Sequence, residues 1–327
     1  MTRNPNFQPD QRAAAHCVAL ATIALLLGGC AAGSRTVRVA SENHNSRVNI
    51  IVIHHTTADF GDSLNILTRP SSNSVSSHYL IPEPGDPSYD GDDLKVYELV
   101  PEERRAWHAG RSYWGGKTAL NDQSIGIELV NQTYCHQRAN GALAETASDE
   151  QRRICFFPDF AESQIRLLTD LLGELLERYP DVKPTQIVGH SDIAPSRKID
   201  PGPRFPWERL YKLGYGAWFD DATVIRYWEM FSDQPVPLAT VQRALQTYGY
   251  GIEATGILDE QTRDVLRAFQ MHFRPATVTG EPSTATVAIL FALIEKYYPD
   301  ALEALLEFDP VVADPLPAEV PTHDDTL

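Results

Sequence analysis

The stretch Ile187–Trp207, IVGHSDIAPSRKIDPGPRFPW, decides how this chain reads. A short apolar run ends at His190, and a loop rich in proline and glycine follows it. His190, Lys198 and Asp200 fall within eleven residues of that strand-to-loop exit. Loops at strand ends are where a rigid scaffold presents chemistry. A second histidine, His54, closes another apolar run, NIIVIH over Asn49–His54. Two strand-terminal histidines and one aspartate form a three-ligand set, and hydrolytic zinc sites use three protein ligands with one position left open. The spacing H-x9-D is not a compact metal signature, so each histidine also reads as a strand-end residue bonded to backbone. Asp192 lies closer to His190 than Asp200 does; it reads as a turn residue, because such side chains bond their own backbone. His55 alternates to the opposite strand face from His54.

Working outward, VNIIVIH (Val48–His54), VSSHYLI (Val75–Ile81), KVYELV (Lys95–Val100), SIGIELV (Ser124–Val130) and TQIVGH (Thr185–His190) read as strands rich in β-branched and aromatic residues. PEPGDPSYDGDD, between the second and third, is a turn-rich loop. The segment 160–179 carries Ile165, Leu168, Leu172 and Leu175 at helical spacing and stops at Pro180. Strands interleaved with a long helix predict an α/β domain over 48–220, a mixed central sheet flanked by helices. From 236 the character changes: VQRALQTYGY, DEQTRDVLRAFQMHF and STATVAILFALIEKYY predict a small three-helix bundle over 236–300, with Asp259 as an N-cap. Residues 301–327 are acidic and proline-rich and read as a disordered tail.

The net charge of −16 argues against nucleic acid, where a basic footprint is expected. An anionic substrate would have to meet local cations, and Arg197, Lys198 and Arg204 sit beside the proposed site. At the N-terminus, Arg3 and Arg12 precede the run Ala13–Leu27, which is apolar but for His16 and Thr22. That is short for a membrane span and right for a signal-peptide core. Leu27-Gly28-Gly29-Cys30 resembles a bacterial lipobox, which implies cleavage after residue 29, lipid on Cys30, and a tether over 30–47. Ala31 rather than aspartate favours outer-membrane sorting, so the chain is expected to be an outer-membrane lipoprotein facing the periplasm. Cys17 leaves with the leader; Cys135 and Cys155 remain, an even pair in an oxidising compartment, and are predicted to form a disulfide.

Residues 50–207 resemble the zinc-dependent N-acetylmuramoyl-L-alanine amidases of the type shared with peptidoglycan recognition proteins. The matching pieces are IVIHHTT, VSSHYLI, RRAWHAGRSYW, LNDQSIGIELVN and VGHSDIAPSRKIDPGPRFPW, in family order. Residues 236–298 more loosely resemble a helical peptidoglycan-binding module. The resemblance implies His54, His190 and Asp200 as Zn2+ ligands, Glu128 as the catalytic glutamate and Lys198 as the lysine that supports the transition state. It implies hydrolysis of the amide joining the lactyl group of N-acetylmuramic acid to L-alanine, in cell-wall turnover or recycling. Read from position alone, without the resemblance, Glu128 is a solvent-facing strand residue and Lys198 a surface charge on a loop. His78, Trp107, His108 and Arg197 are assigned to a substrate groove, and the insertion at 131–157 is placed to wall one side of it. Peptidoglycan and muropeptides are the expected partners, with the outer membrane reached through lipid, and a monomer is expected. The competing reading is a non-catalytic recognition or wall-tethering lipoprotein that keeps the fold without the hydrolysis.

Overall fold

Ile50, Ile51, Val52 and Ile53 are all fully buried, which requires cover on both faces of the strand they form. In the computed structural model, which describes residues 37–43, 45–137 and 153–308, that strand is β1 (Ile50–Thr56). There follow α1 (Phe60–Thr68), β2 (Tyr79–Ile81), β3 (Tyr97–Glu98), a small hairpin of β4 (Tyr113–Trp114) and β5 (Lys117–Thr118), and β6 (Ser124–Val130). Next come β7 (Tyr134–Gln137), β8 (Arg153–Phe156), α2 (Glu162–Arg178), β9 (Ile187–Gly189), and the short helices α3 (His190–Ile193) and α4 (Trp207–Lys212). The main sheet has the order β3-β2-β6-β1-β9. Its inner pairs are parallel, and β3 alone runs antiparallel, at the edge. This is the expected mixed sheet. Its strands are shorter than predicted at β2, β3 and β9, because the flanking residues leave the ladder for irregular backbone at the first two, and for a 3-10 turn before and a helix after the third.

The register decides which face carries what. Tyr79 pairs with Ile127, and Ile127 with Ile53, so these three share a face. The Tyr79 hydroxyl donates to Glu102, whose carboxylate also accepts from Arg178 Nη2 at 2.8 Å. Arg178 ends α2, so α2 covers this face, with Ile165, Leu168, Leu172 and Leu175 turned into the core. His54 pairs with Glu128, and both point to the other face. There α1 packs Phe60 and Leu67 on Leu80 and Val130.

The C-terminal helices are α5 (Asp221–Asp233), α6 (Leu238–Tyr248), α7 (Glu260–Phe273), α8 (Thr284–Tyr297) and α9 (Pro299–Leu306). The three predicted helices are therefore joined by two others. Tyr227 and Phe231 of α5 pack on Phe291 of α8, at ring distances of 5.8 and 4.9 Å. The tail expected from 301 is helical as far as Leu306, with Leu305 buried; Pro299 occupies the first turn of that helix, where its missing N–H costs nothing. Asp259 caps α7 by accepting from Thr262 N–H at 2.8 Å. One hydrophobic core runs from the sheet through Trp114 and Tyr248 into α6, α7 and α8. Residues 37–43 are neither helix nor strand. The leader at 1–29, Cys30 and the tail beyond 308 lie outside the described residues, as do residues 138–152 of the insertion. What is described of that insertion is a hairpin of β7 and β8, with Cys135 opposite Cys155 and their sulfurs bonded at 2.06 Å.

Candidate active site

Register places the first two site residues. His54 and Glu128 are adjacent across the β1–β6 ladder. Ile53 pairs with Gly189, so the next residue along, His190, emerges beside His54 as β9 breaks into α3. The loop after α3 returns Asp200 to the same point, tied by Ser191 N–H to the Asp200 carbonyl at 2.8 Å. His54 Nδ1 and His190 Nδ1 lie 2.9 Å apart, and Asp200 Oδ2 is 3.2 Å from the first and 3.1 Å from the second. All three residues are buried.

The protons around this triangle follow from its neighbours. The Ser124 hydroxyl donates to the Leu120 carbonyl at 2.6 Å, so it accepts from His108 Nε2 at 3.0 Å. His108 Nδ1 is then an acceptor, and His54 Nε2–H donates to it at 2.9 Å. That leaves the lone pair of His54 on Nδ1. His190 Nε2–H donates to the Ala109 carbonyl at 3.3 Å, which directs the ring's lone pair to Nδ1 as well. The loop holding His108 and Ala109 is fixed by Asn121, whose Oδ1 accepts both backbone N–H groups, at 3.1 and 2.8 Å. Three proton-free donor atoms thus face one another, a combination that repels itself and suits a cation. Burial pulls His54 down to about 4, with His190 adding to the shift, so its ring is neutral at ordinary pH. Burial alone would raise Asp200, but His190 and His54 hold its carboxyl well below the usual range.

Glu128 stands beside the triangle, with Oε1 3.9 Å from His54 Nδ1 and Oε2 buried without a hydrogen-bond partner. Burial, reinforced by Asp200, pushes it up to about 8, while Lys198 acts in the opposite direction. Lys198 is therefore close enough to act on the site by its charge, although its own bonding is through backbone N–H to Ala194 O. Gly126, two residues before Glu128 on the same face, is required by close packing: a Cβ there would lie 2.5 Å from His108 Cγ. His55 faces away and bonds the Pro201 carbonyl at 3.0 Å.

Two expected groove residues are placed otherwise. His78 is buried between the Gly126 N–H, at 3.0 Å, and the Arg104 carbonyl, at 3.2 Å. His108 is buried beneath His54. Both brace the site from behind, because the sheet and the 104–109 loop close over them. Trp107 is 53% exposed and remains available to a ligand. Arg197 Nη2 is held by the carbonyls of Ala109 and Arg111, at 3.1 and 2.7 Å, and lines a cleft of about 630 Å³ with Arg111, Tyr113, Glu260 and Asp264. Trp114 is buried, its Nε1 bonded to Thr185 O at 3.0 Å. Sequence reading did not single out Ser124 or Asn121; their place in the run LNDQSIGIE was the available signal.

His54 and His190 at the ends of parallel strands, Asp200 from the loop that follows and a mostly buried glutamate beside them make a site suited to hydrolysis, and comparison gives the class: the chain belongs to the N-acetylmuramoyl-L-alanine amidase family. The family profile matches residues 44–203, and a peptidoglycan binding domain profile matches residues 236–290. The chain is 41% identical to N-acetylmuramoyl-L-alanine amidase AmiD of Escherichia coli K12 over 291 residues, 86% of this chain and 98% of that protein. It is similar to the crystal structure of AmpDh3 from Pseudomonas aeruginosa, with 44% identity, a TM-score of 0.70, and 81% of this chain and 97% of that one covered. It is also similar to E. coli AmiD in complex with anhydro-N-acetylmuramic acid-L-Ala-D-gamma-Glu-L-Lys, with 40% identity, a TM-score of 0.66, and 80% and 93% covered.

Proposed function

We propose that this amidase is zinc-dependent and takes muramyl peptides, anhydro-muramyl ends included, as its substrates. The reading rests on one observation above all: three proton-free donor atoms of His54, His190 and Asp200 converge beside the unpartnered carboxyl oxygen of Glu128. Two imidazole nitrogens and one carboxylate are a common donor set for catalytic zinc, and they leave the ion net positive. When bound, zinc supplies Lewis acidity toward the scissile carbonyl and lowers the pKa of water. Glu128 takes the proton of the attacking water and passes it to the departing L-alanine amine. Lys198 sets a positive charge near the developing oxyanion. The substrate class is supported by the anhydro-muramyl peptide bound to E. coli AmiD and the anhydromuramic pentapeptide bound to AmpDh3.

The peptidoglycan-binding profile over 236–290 supports a second contact of the helical module with the wall. The lipobox-like sequence ending at Cys30 supports an outer-membrane lipoprotein facing the periplasm. The test of the catalytic reading is Glu128→Gln. We expect kcat on a soluble muropeptide to fall about 10²–10⁴-fold, the range for a general acid–base, with zinc affinity retained. A variant that turns over at the wild-type rate removes Glu128 from the mechanism.

A further inference from the structure

Asp192 was read from sequence as a turn residue, and it is one, but two of its three partners come from the far end of the chain. Its side chain is fully buried. Oδ2 accepts from Gly189 N–H at 2.7 Å and from His272 Nδ1 at 2.7 Å, and Oδ1 accepts from the Tyr250 hydroxyl at 2.7 Å. Gly189 is the residue at which β9 stops and α3 begins, and the next residue is His190. The Asp192 carboxylate therefore holds the break that aims His190 at His54. His272 is itself fixed, stacked on Trp207 at 3.8 Å and on Phe273 at 3.9 Å. Tyr250 packs edge-on against Trp114 at 4.9 Å.

The rest of this junction is equally close. Gly115 N–H donates to the Gly249 carbonyl at 2.8 Å, and a Cβ at Gly249 would lie 2.9 Å from Trp114 Cε2. The Tyr298 hydroxyl donates to Thr185 Oγ1 at 3.2 Å, just before β9. A wall-binding module carried as a separate body would need none of this. A buried carboxylate loses most when its donors are removed, since it then stands charged without partners. Two of the three hydrogen bonds that keep Asp192 in place belong to the helical module.

We propose that Asp192 is a positioning residue for His190, held by Tyr250 and His272, and that the helical module is thereby a working part of the metal site. The inference rests on the reading that His54, His190 and Asp200 hold zinc. It predicts that the module sets zinc affinity and kcat, whatever it also does at the wall.

The experiment uses the full chain and separates the hydrogen bond from the packing. His272→Phe keeps the stacked ring and loses the donor. His272→Asn places a donor near the Nδ1 position and loses the ring. Tyr250→Phe removes a single oxygen and gives a milder variant should the others fold poorly. Zinc affinity is read by competition with a chromophoric chelator at 25 °C, alongside melting of each metal-free protein and kcat and KM on a small soluble muropeptide. We expect His272→Phe to bind zinc about tenfold more weakly, the lower end of the range for outer partners of metal ligands, and Tyr250→Phe to weaken it in the same direction. In both, kcat at limiting zinc falls while KM holds. His272→Asn stays closer to wild type in affinity even though it melts lower. The reverse order, with the phenylalanine variants binding zinc like wild type and the asparagine variant weakened, makes the role structural and overturns the inference alone. A wild-type chain that binds no zinc overturns the zinc reading, and the inference with it.

Discussion

Glu128→Gln should make the metal-free protein more stable while destroying its activity. The Glu128 side chain is 13% exposed, and its folded pKa is pushed from an ordinary 4.5 up to about 8, first by burial and then by Asp200. The sign follows from linkage. Between these two values the folded state holds a proton that the unfolded state has released, so the contribution of Glu128 to stability falls as pH rises through the window. At 1.36 kcal/mol per unit, the penalty is under about 1 kcal/mol at pH 5 and reaches about 3 kcal/mol at pH 7. His54, whose pKa is depressed to about 4, contributes with the opposite sign, gaining stability as pH rises from about 4 to its ordinary 6.5. That term is common to both proteins and cancels in the difference. The assay is urea unfolding of wild type and variant after chelation, disulfide intact, at pH 5 and pH 7. The variant should gain on wild type by about 2 kcal/mol between the two pH values. Returned zinc should narrow the gap, since a cation in the triangle favours the ionised glutamate. A gap that stays constant with pH, or a variant less stable at pH 7, would refute the claim that Glu128 is held as a strained acid.

Ser124→Ala should weaken zinc binding about tenfold, because His108 Nε2–H loses its acceptor and no longer fixes the ring that orients His54; chelator competition reads this directly. Gly126→Ala should destabilise the fold by about 1–3 kcal/mol, the usual range for overpacking, and displace His108, visible as a lower melting temperature together with weaker metal binding. Cys30→Ala should move the protein from the membrane fraction to the soluble periplasm; unchanged fractionation would sink the lipoprotein reading.

The strands that bear the site were legible because burial on both faces leaves a strong mark. SIGIELV is read to its observed limits, Ser124–Val130, and the run closing at His54 needs only a shift of two residues to become Ile50–Thr56. The helix of 162–178 announced itself by its period and by Pro180. The helix Asp221–Asp233 did not, because its aromatic face is matched only by Phe291, far along the chain. Nor did Phe60–Thr68, nine residues with too few turns to establish a period. At the site, the ligand-type residues could be named from motif and strand ends. Their support could not. Whether His78 and His108 face a groove or stand behind the sheet depends on which loop closes over them, and nothing local encodes that. Asp192, Tyr250 and His272 each look ordinary in sequence, and their meeting is a product of tertiary packing alone.

The most direct test is to incubate the purified chain with an anhydro-muramyl peptide, with and without chelator, and to identify the products by mass spectrometry. The account predicts release of a peptide with a free L-alanine amine, loss of that product on chelation, and its return with added zinc. Full turnover after verified metal removal would contradict it.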